Sequence, residues 1–369
     1  MNNSKIQIEF NNHSYNKDIY YVAIGLRGGY AVRDYILAEK EHFSSNYAFF
    51  NILFNYFAGC QSMHGLNYDV QRAVSTISFS RKKEELVPTI EDVLQTLFSY
   101  EYSQEIFERA KLAGKEAFSA RYKDGAFRSK YKAHEFSELN KRFTLKSLIS
   151  DIENIDFETF TASAKALLVP GNVCIYIVGD SAGTDLQGLT SPNAKTAGNH
   201  SVRIAGCGYD PFLRQDAHIT SIAREEHNTI IECVDFLNPN ISNFAKMLIV
   251  EMIAEQIPTY YADVWVDSFD ASIMFACEQP RSYKENCVVY TEKSYLASQC
   301  NLLKKYAALL ENNPEHLVIK AAALMTIGVY VDQYLEFISK CSYEMFKEIC
   351  ETADYKITEA QIVLRKGSR

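Results

Sequence analysis

Apolar and polar positions alternate along the chain in two periods that recur in the same order in each half. In the first half, YYVAIGL (20–26) is almost continuously apolar and predicts a strand, and AVSTISFS (73–80) alternates as a second strand. Between them, DYILAEKEHFSSNYAFFNILFNYF (34–57) reads as one long helix, and charged amphipathic stretches at 84–99 and 103–122 predict two more. In the second half, TIIECVDFL (229–237) predicts a strand and NFAKMLIVEMIAEQI (243–257) a helix. VWVDSFDASIMFACE (264–278) follows as one long strand or a strand pair, and helical periodicity runs from about 292 to 351. The run 181–200, rich in Ser, Thr, Gly, Ala and Asn and without apolar period, reads as a linker between an N-terminal lobe (1–180) and a C-terminal lobe (201–369).

The ends of the halves point to duplication. IDFETF (155–160) and CSYEMF (341–346) each precede a helix and a closing strand, CIYIVG (174–179) and QIVLRK (361–366). The pairs Glu158/Glu344 and Phe160/Phe346 are both 186 positions apart. The predicted fold class is α+β: two homologous lobes, each a mainly antiparallel sheet with helices packed on one face.

Composition narrows the function. A net charge of −8 gives no basic excess for a phosphate backbone, which argues against nucleic acid as a partner. No apolar run approaches the roughly 20 residues of a membrane span, and the polar start lacks a secretory pattern, so a cytoplasmic protein without a membrane span is expected. Nine Cys scattered without a C-x-x-C read as thiols and give no framework for disulfides or structural zinc. Aromatics crowd NYAFFNILFNYF (46–57) and cover more than one side of a helix, which must then be buried all round or meet a partner.

The lobe order, the helix after the first strand, the FERAKLAGKEAF helix (107–118) and the closing VPGNVCIYIVGD (169–180) resemble the pitrilysin/insulinase-like metallopeptidases, of the short type related to mitochondrial processing peptidase. In active members the first long helix carries H-x-x-E-H, two zinc ligands and a general base, and a Glu from a later helix completes the site. The stretch matched to it here is His42-Phe43-Ser44-Ser45-Asn46, which keeps the first His and places Ser45 at the base and Asn46 at the second ligand. Glu108 most resembles the third ligand, with Glu116 behind it. Two surviving candidates fall short of the three protein ligands that a catalytic zinc needs, so no catalytic residue and no metal is expected in this chain. The ordinary reading of His42 is an exposed residue beside Glu39 and Glu41; a rearranged set of His42, His64 and Glu108 is the alternative that would restore a peptidase.

The resemblance further implies a heterodimer in which a homologous catalytic subunit holds the zinc and both close around an extended peptide. The surroundings of GLRGGYAVRD and EHFSSN resemble the subunit without the zinc motif in subtilosin-type bacteriocin-processing pairs, which implies removal of a leader from a precursor peptide. Non-catalytic partners in the family contribute an Arg and a Tyr from the second lobe. Tyr260 or Tyr261 matches the tyrosine, and the nearest downstream Arg is Arg281. Active relatives hold the peptide on a sheet edge, here expected at 73–80 with Ser75, Ile77 and Phe79 against it. A stand-alone precursor-binding or escort protein without protease activity is the alternative function.

Overall fold

The computed structural model describes residues 5–13, 18–38, 41–99, 101–124, 127–128, 131, 135–136, 143–180, 200–205, 217–223, 226–238, 240–256, 262–266, 271–276 and 290–366. In chain order the first elements are β1 (Gln7–Asn12), β2 (Ile19–Arg27), β3 (Asp34–Leu37), β4 (Glu41–Ser44), α1 (Phe49–Ala58), β5 (Asn67–Val70), β6 (Val74–Lys82), α2 (Lys83–Phe98), α3 (Gln104–Arg121), α4 (Leu145–Asn154), α5 (Phe157–Leu167) and β7 (Val173–Gly179). The rest are β8 (Val202–Ile204), β9 (Ala217–Ala223), β10 (His227–Phe236), α6 (Asn243–Gln256), β11 (Ala262–Val266), β12 (Ala271–Ala276), α7 (Glu292–Asn312), α8 (Pro314–Thr326), α9 (Val331–Lys340), α10 (Tyr343–Ala353) and β13 (Tyr355–Lys366). Among the described residues no single helix is long and apolar enough to cross a membrane.

Two five-stranded sheets have the same topology. One runs β1-β7-β2-β6-β5 and the other β9-β13-β10-β12-β11. In each, the strand closing its half pairs in parallel with the first strand and antiparallel with the second. The duplication predicted from the motif pair is thus present in the strand order, and the motif has a physical meaning. Asp156 and Ser342, 186 positions apart, are both helix N-caps whose side chains accept the main-chain N–H of Thr159 and Met345. Glu158 and Glu344 fall in the first turns, where a negative charge opposes the helix dipole, and Phe160 and Phe346 are buried behind them.

The chain forms two compact units that interleave in sequence. One comprises residues 1–116, 146–205 and 308–330, the other 117–145, 206–307 and 331–369. In the first, α8 lies on the sheet formed by β2, β6 and β7. The strand patterns explain how a helix seats there. The register pairs Gly25 with Thr76 and Ala23 with Ser78, so one face of β2 and β6 is built of small side chains, while Val22, Ile24, Leu26, Ile77 and Phe79 point to the other. A methyl group on Gly25 would sit 2.6 Å from the Ala322 carbonyl oxygen of α8, so backbone approaches backbone at this point. The helix starts on Asn313, whose side chain accepts the His316 N–H, with Pro314 in its first turn, and at its far end Arg27 Nε donates to the Thr326 carbonyl at 2.7 Å.

In the second unit, Ile231 and Cys233 of β10 pack with Ile362 and Leu364 of β13, and Phe136 and Ile219 lie against them. Residues Ala245 to Ile253 of α6 are all buried, which is why this segment shows no polar face. Buried among them, Glu251 accepts hydrogen bonds from the Tyr334 hydroxyl at 2.9 Å and the Tyr306 hydroxyl at 3.2 Å.

One element differs from expectation. The stretch 34–57 is not a single helix: Asp34–Leu37 and Glu41–Ser44 form an antiparallel hairpin, with β8 on the far side of β3, and the helix starts only at Phe49. Tyr35 and Leu37 are buried while Asp34 and Ile36 are half-buried, a period of two that the charged residues 39–41 obscure in the sequence. Ala38, with φ of 50°, makes the turn, and the Ser44 hydroxyl donates to Asp34 across the hairpin.

Candidate functional site

The stretch matched to the zinc motif lies on β4 and the loop after it. His42 is exposed on a strand, opposite Ile36. The one-face geometry that an i, i+4 spacing gives on a helix therefore does not exist between positions 42 and 46. Ser45 hands its amide proton to the Arg33 carbonyl and its hydroxyl proton to the buried Ser163 at 2.8 Å. Asn46 turns its amide oxygen to the Ala48 N–H at 2.8 Å and its carbonyl to the Phe49 N–H, so it serves the start of α1. Tyr47 is held next to it by donation of its N–H to Asp151, a half-buried carboxyl that burial raises above its ordinary range.

The first helix itself is α1, and between Asn46 and Ala58 it has no His, Cys, Asp or Glu. Phe49, Phe50, Ile52, Leu53, Phe54, Tyr56 and Phe57 are all buried, which resolves the aromatic crowding of 46–57 as core. Phe49 and Tyr56 meet Phe160 of α5 at 5.7 and 5.8 Å, Tyr56 also meets Tyr102 at 5.4 Å, and its hydroxyl accepts the Ser103 N–H. Gly114 lets α3 approach Asn55 and Ile52 on the same helix. Phe50, Leu53 and Phe54, three positions with H-x-x-E-H spacing on α1, fall inside this cluster.

The remaining candidate ligands are not brought together. Glu108 and Glu116 are exposed on α3, and His64 is exposed after a short 3₁₀ turn. Among the described residues no three His, Cys, Asp or Glu side chains group so as to hold a metal ion. The described residues therefore offer no three-ligand set of the kind a catalytic zinc requires. Tyr260, Tyr261 and Arg281 lie outside the described residues.

The expected sheet edge is also corrected. The strand containing 73–80 is internal, flanked by β2 on one side and β5 on the other, and Ser75, Ile77 and Phe79 are buried. Ser75 spends its hydroxyl on the Gly28 carbonyl at 2.8 Å. Ser and Thr in β6 supply small volumes under α8 and local hydrogen bonds, which in sequence imitate a half-exposed strand. On this side of the sheet the last strand is β5, the short NYDV just before an internal strand; Tyr68 of β5 packs on Phe54 of α1 at 5.2 Å and donates its hydroxyl to the Met63 carbonyl.

Two segments that carried the family resemblance are neighbours in space. Asn172, fully buried, accepts the Arg27 N–H at 3.1 Å and donates to the Arg27 carbonyl at 3.2 Å, and Arg27 Nη1 reaches the Gly171 carbonyl. Gly28 follows with φ of 120°; a side chain there would meet the Phe50 ring at 2.4 Å, so the turn seats directly on α1.

Against known proteins, no family model and no curated protein matches the sequence. The structure is similar to that of an M16-like peptidase from Alicyclobacillus acidocaldarius (10% identity, TM-score 0.71, covering 96% of this chain and 95% of the other). It is also similar to a peptidase M16 inactive domain from Pseudomonas fluorescens (11% identity, TM-score 0.65, 98% and 96%). A third similar structure is the periplasmic protease PqqL from Escherichia coli (12% identity, TM-score 0.58), of which the match takes in 44% against 97% of this chain. The chain has the M16-like, or pitrilysin, peptidase fold.

Proposed function

We propose that this chain is the non-catalytic subunit of a heterodimeric zinc metallopeptidase, holding an extended precursor peptide while a homologous partner with an intact H-x-x-E-H supplies zinc and cleaves. The observation that carries this reading is α1: the fold of a peptidase is kept while the ligand-bearing helix is an apolar core element. The inactive M16 domain among the similar structures, and the match to under half of PqqL, support a chain that works beside a second one of the same fold. Likeness to subtilosin-type processing pairs supports a bacteriocin precursor as the peptide and leader removal as the outcome.

The test is co-expression with a homologue from the same genome that carries H-x-x-E-H. The expected result is a one-to-one complex that cleaves a precursor peptide, with neither chain active alone. A partner that cleaves equally well without this chain overturns the proposal, and peptide binding without any complex supports an escort protein instead.

A further inference from the structure

The end of α3 carries an aromatic surface that the repeated fold does not require. Phe118 lies in the last turn of the helix, which continues through the bond from the Tyr122 N–H to the Phe118 carbonyl, and the Asp124 carboxylate then accepts the Phe127 N–H. Phe118 meets Tyr122 at 6.1 Å, Phe127 at 5.7 Å and Tyr131 at 5.8 Å, and Phe127 meets Tyr131 at 4.5 Å. The Arg128 guanidinium lies 4.7 Å from the centre of the Tyr122 ring. All four aromatic residues are half-buried, so the cluster keeps apolar surface in water. The positions 186 further along the chain are Lys304, Ala308, Asn313 and Leu317, so the second half builds the same connection without rings.

The charge of this segment opposes that of the protein. Residues 121–132 hold five cations and one carboxylate, a net +4 in a chain of −8, which leaves −12 for the rest. Arg121 and Lys123 are exposed. The carboxylate is Asp124, engaged in the turn; of the acids on either side, Glu116 is exposed on α3 and Glu135 accepts the Leu145 N–H. Rings interleaved with cations suit a partner that offers apolar side chains among carboxylates. Two other anionic partners fit less well. A nucleic-acid base needs an open ring face to stack on, whereas Arg128 occupies a face of Tyr122, and Phe118 meets Phe127 and Tyr131 edge to face. A bilayer is far wider than this segment and would draw the −12 remainder toward a negative surface.

Resting on the reading of the chain as a peptide-holding subunit, we infer that this ring cluster, with Arg121 and Lys123, docks an acidic segment of the precursor peptide in which Asp or Glu residues are interspersed with Leu or Phe. Burial of the Leu or Phe side chains on the rings supplies most of the affinity. Each exposed ion pair adds little alone, and several together set the preference for acidic over basic segments.

The experiment measures binding of dodecapeptides carrying an uncharged dye to the full chain by anisotropy: one of Glu interspersed with Leu and Phe, one with Lys in place of every Glu, and one with Ser in place of every Leu and Phe. The first is expected to bind about tenfold more tightly than either of the others, equivalent to about 1.4 kcal/mol. The double variant Arg121→Glu/Lys123→Glu, at exposed positions and checked for an unchanged circular dichroism spectrum, is expected to weaken the acidic peptide about tenfold and to bring the Lys peptide level with it or above it. Phe127→Ala is expected to weaken the acidic peptide at least about fivefold. Equal binding of the acidic and basic peptides, or acidic-peptide binding that the double variant leaves unchanged, overturns this inference, and binding of an authentic precursor in the same assay leaves the peptide-holding reading intact. Retention on vesicles rich in anionic phospholipid, or on a single-stranded oligonucleotide, without binding of the acidic peptide overturns it in favour of that surface. Failure of every peptide, the authentic precursor included, to bind overturns both.

Discussion

Replacing Gly25 by Ala tests whether a helix from the second half of the sequence is seated on the first sheet. The added methyl would lie 2.6 Å from the Ala322 carbonyl oxygen, 3.0 Å from its carbon and 3.2 Å from the Thr326 methyl. A carbon–oxygen contact settles nearer 3.4 Å, so α8 or β2 must yield by several tenths of an ångström. Two of the three neighbours are backbone, and α8 is fixed at its end by the Arg27 to Thr326 bond, so the strain is not relieved by a rotamer change. Overpacking of this kind costs about 1–3 kcal/mol, against about 0.5–1 kcal/mol recovered from the stiffer unfolded chain, for a net loss of about 1–2 kcal/mol. For a unit of this size, that lowers the midpoint of thermal unfolding by roughly 2–8 °C. Circular dichroism melts of wild type and Gly25→Ala measure it, with limited proteolysis to show whether cleavage moves into 308–330. A midpoint raised or unchanged by the substitution would refute the close seating of α8 on β2.

Further consequences are open to direct measurement. Leu53→Glu puts a carboxyl into the apolar interior of α1 and is expected to remove at least about 3 kcal/mol or abolish folding, read from urea unfolding; a folded, stable variant would contradict the core assignment. Asp156→Ala and Ser342→Ala each remove an N-cap and are expected to cost about 0.5–2 kcal/mol, with additive losses in the double variant because the caps serve separate helices. The hydroxyls of Tyr306 and Tyr334 have pKa values pushed up by burial and by the Glu251 carboxylate they bond. The folded state therefore favours their neutral forms: this stability is complete below the ordinary tyrosine range near pH 10 and is lost as pH rises above it. Absorbance at the phenolate band against pH is expected to show a class of tyrosines that ionise only together with unfolding, and Tyr334→Phe, which leaves Glu251 one donor short, is expected to cost about 1–3 kcal/mol. His42→Ala is expected to change stability by less than about 0.5 kcal/mol, since the side chain is exposed on β4.

Strands were readable where burial on both faces leaves long apolar runs, as in YYVAIGL and CIYIVG, and the repeat was readable because an N-cap, an acidic first turn and a buried Phe keep fixed offsets. The hairpin at 34–44 was hidden because its inward residues number only two, Tyr35 and Leu37, and because the hydrophobic helix after it extends the helical pattern backward. That error carried the zinc-motif match with it: His42 and Asn46 have the right spacing and the wrong backbone. The family resemblance placed 73–80 at a sheet edge, whereas the small residues of β6 serve a helix that approaches from far along the chain. No local pattern announces such a partner.

The most direct test of the account is the metal content of the purified full chain after incubation with zinc and gel filtration. The account predicts well under one equivalent retained, and no change when His42, His64 and Glu108 are all replaced by Ala. One tightly held zinc per chain, lost in that triple variant, would contradict it.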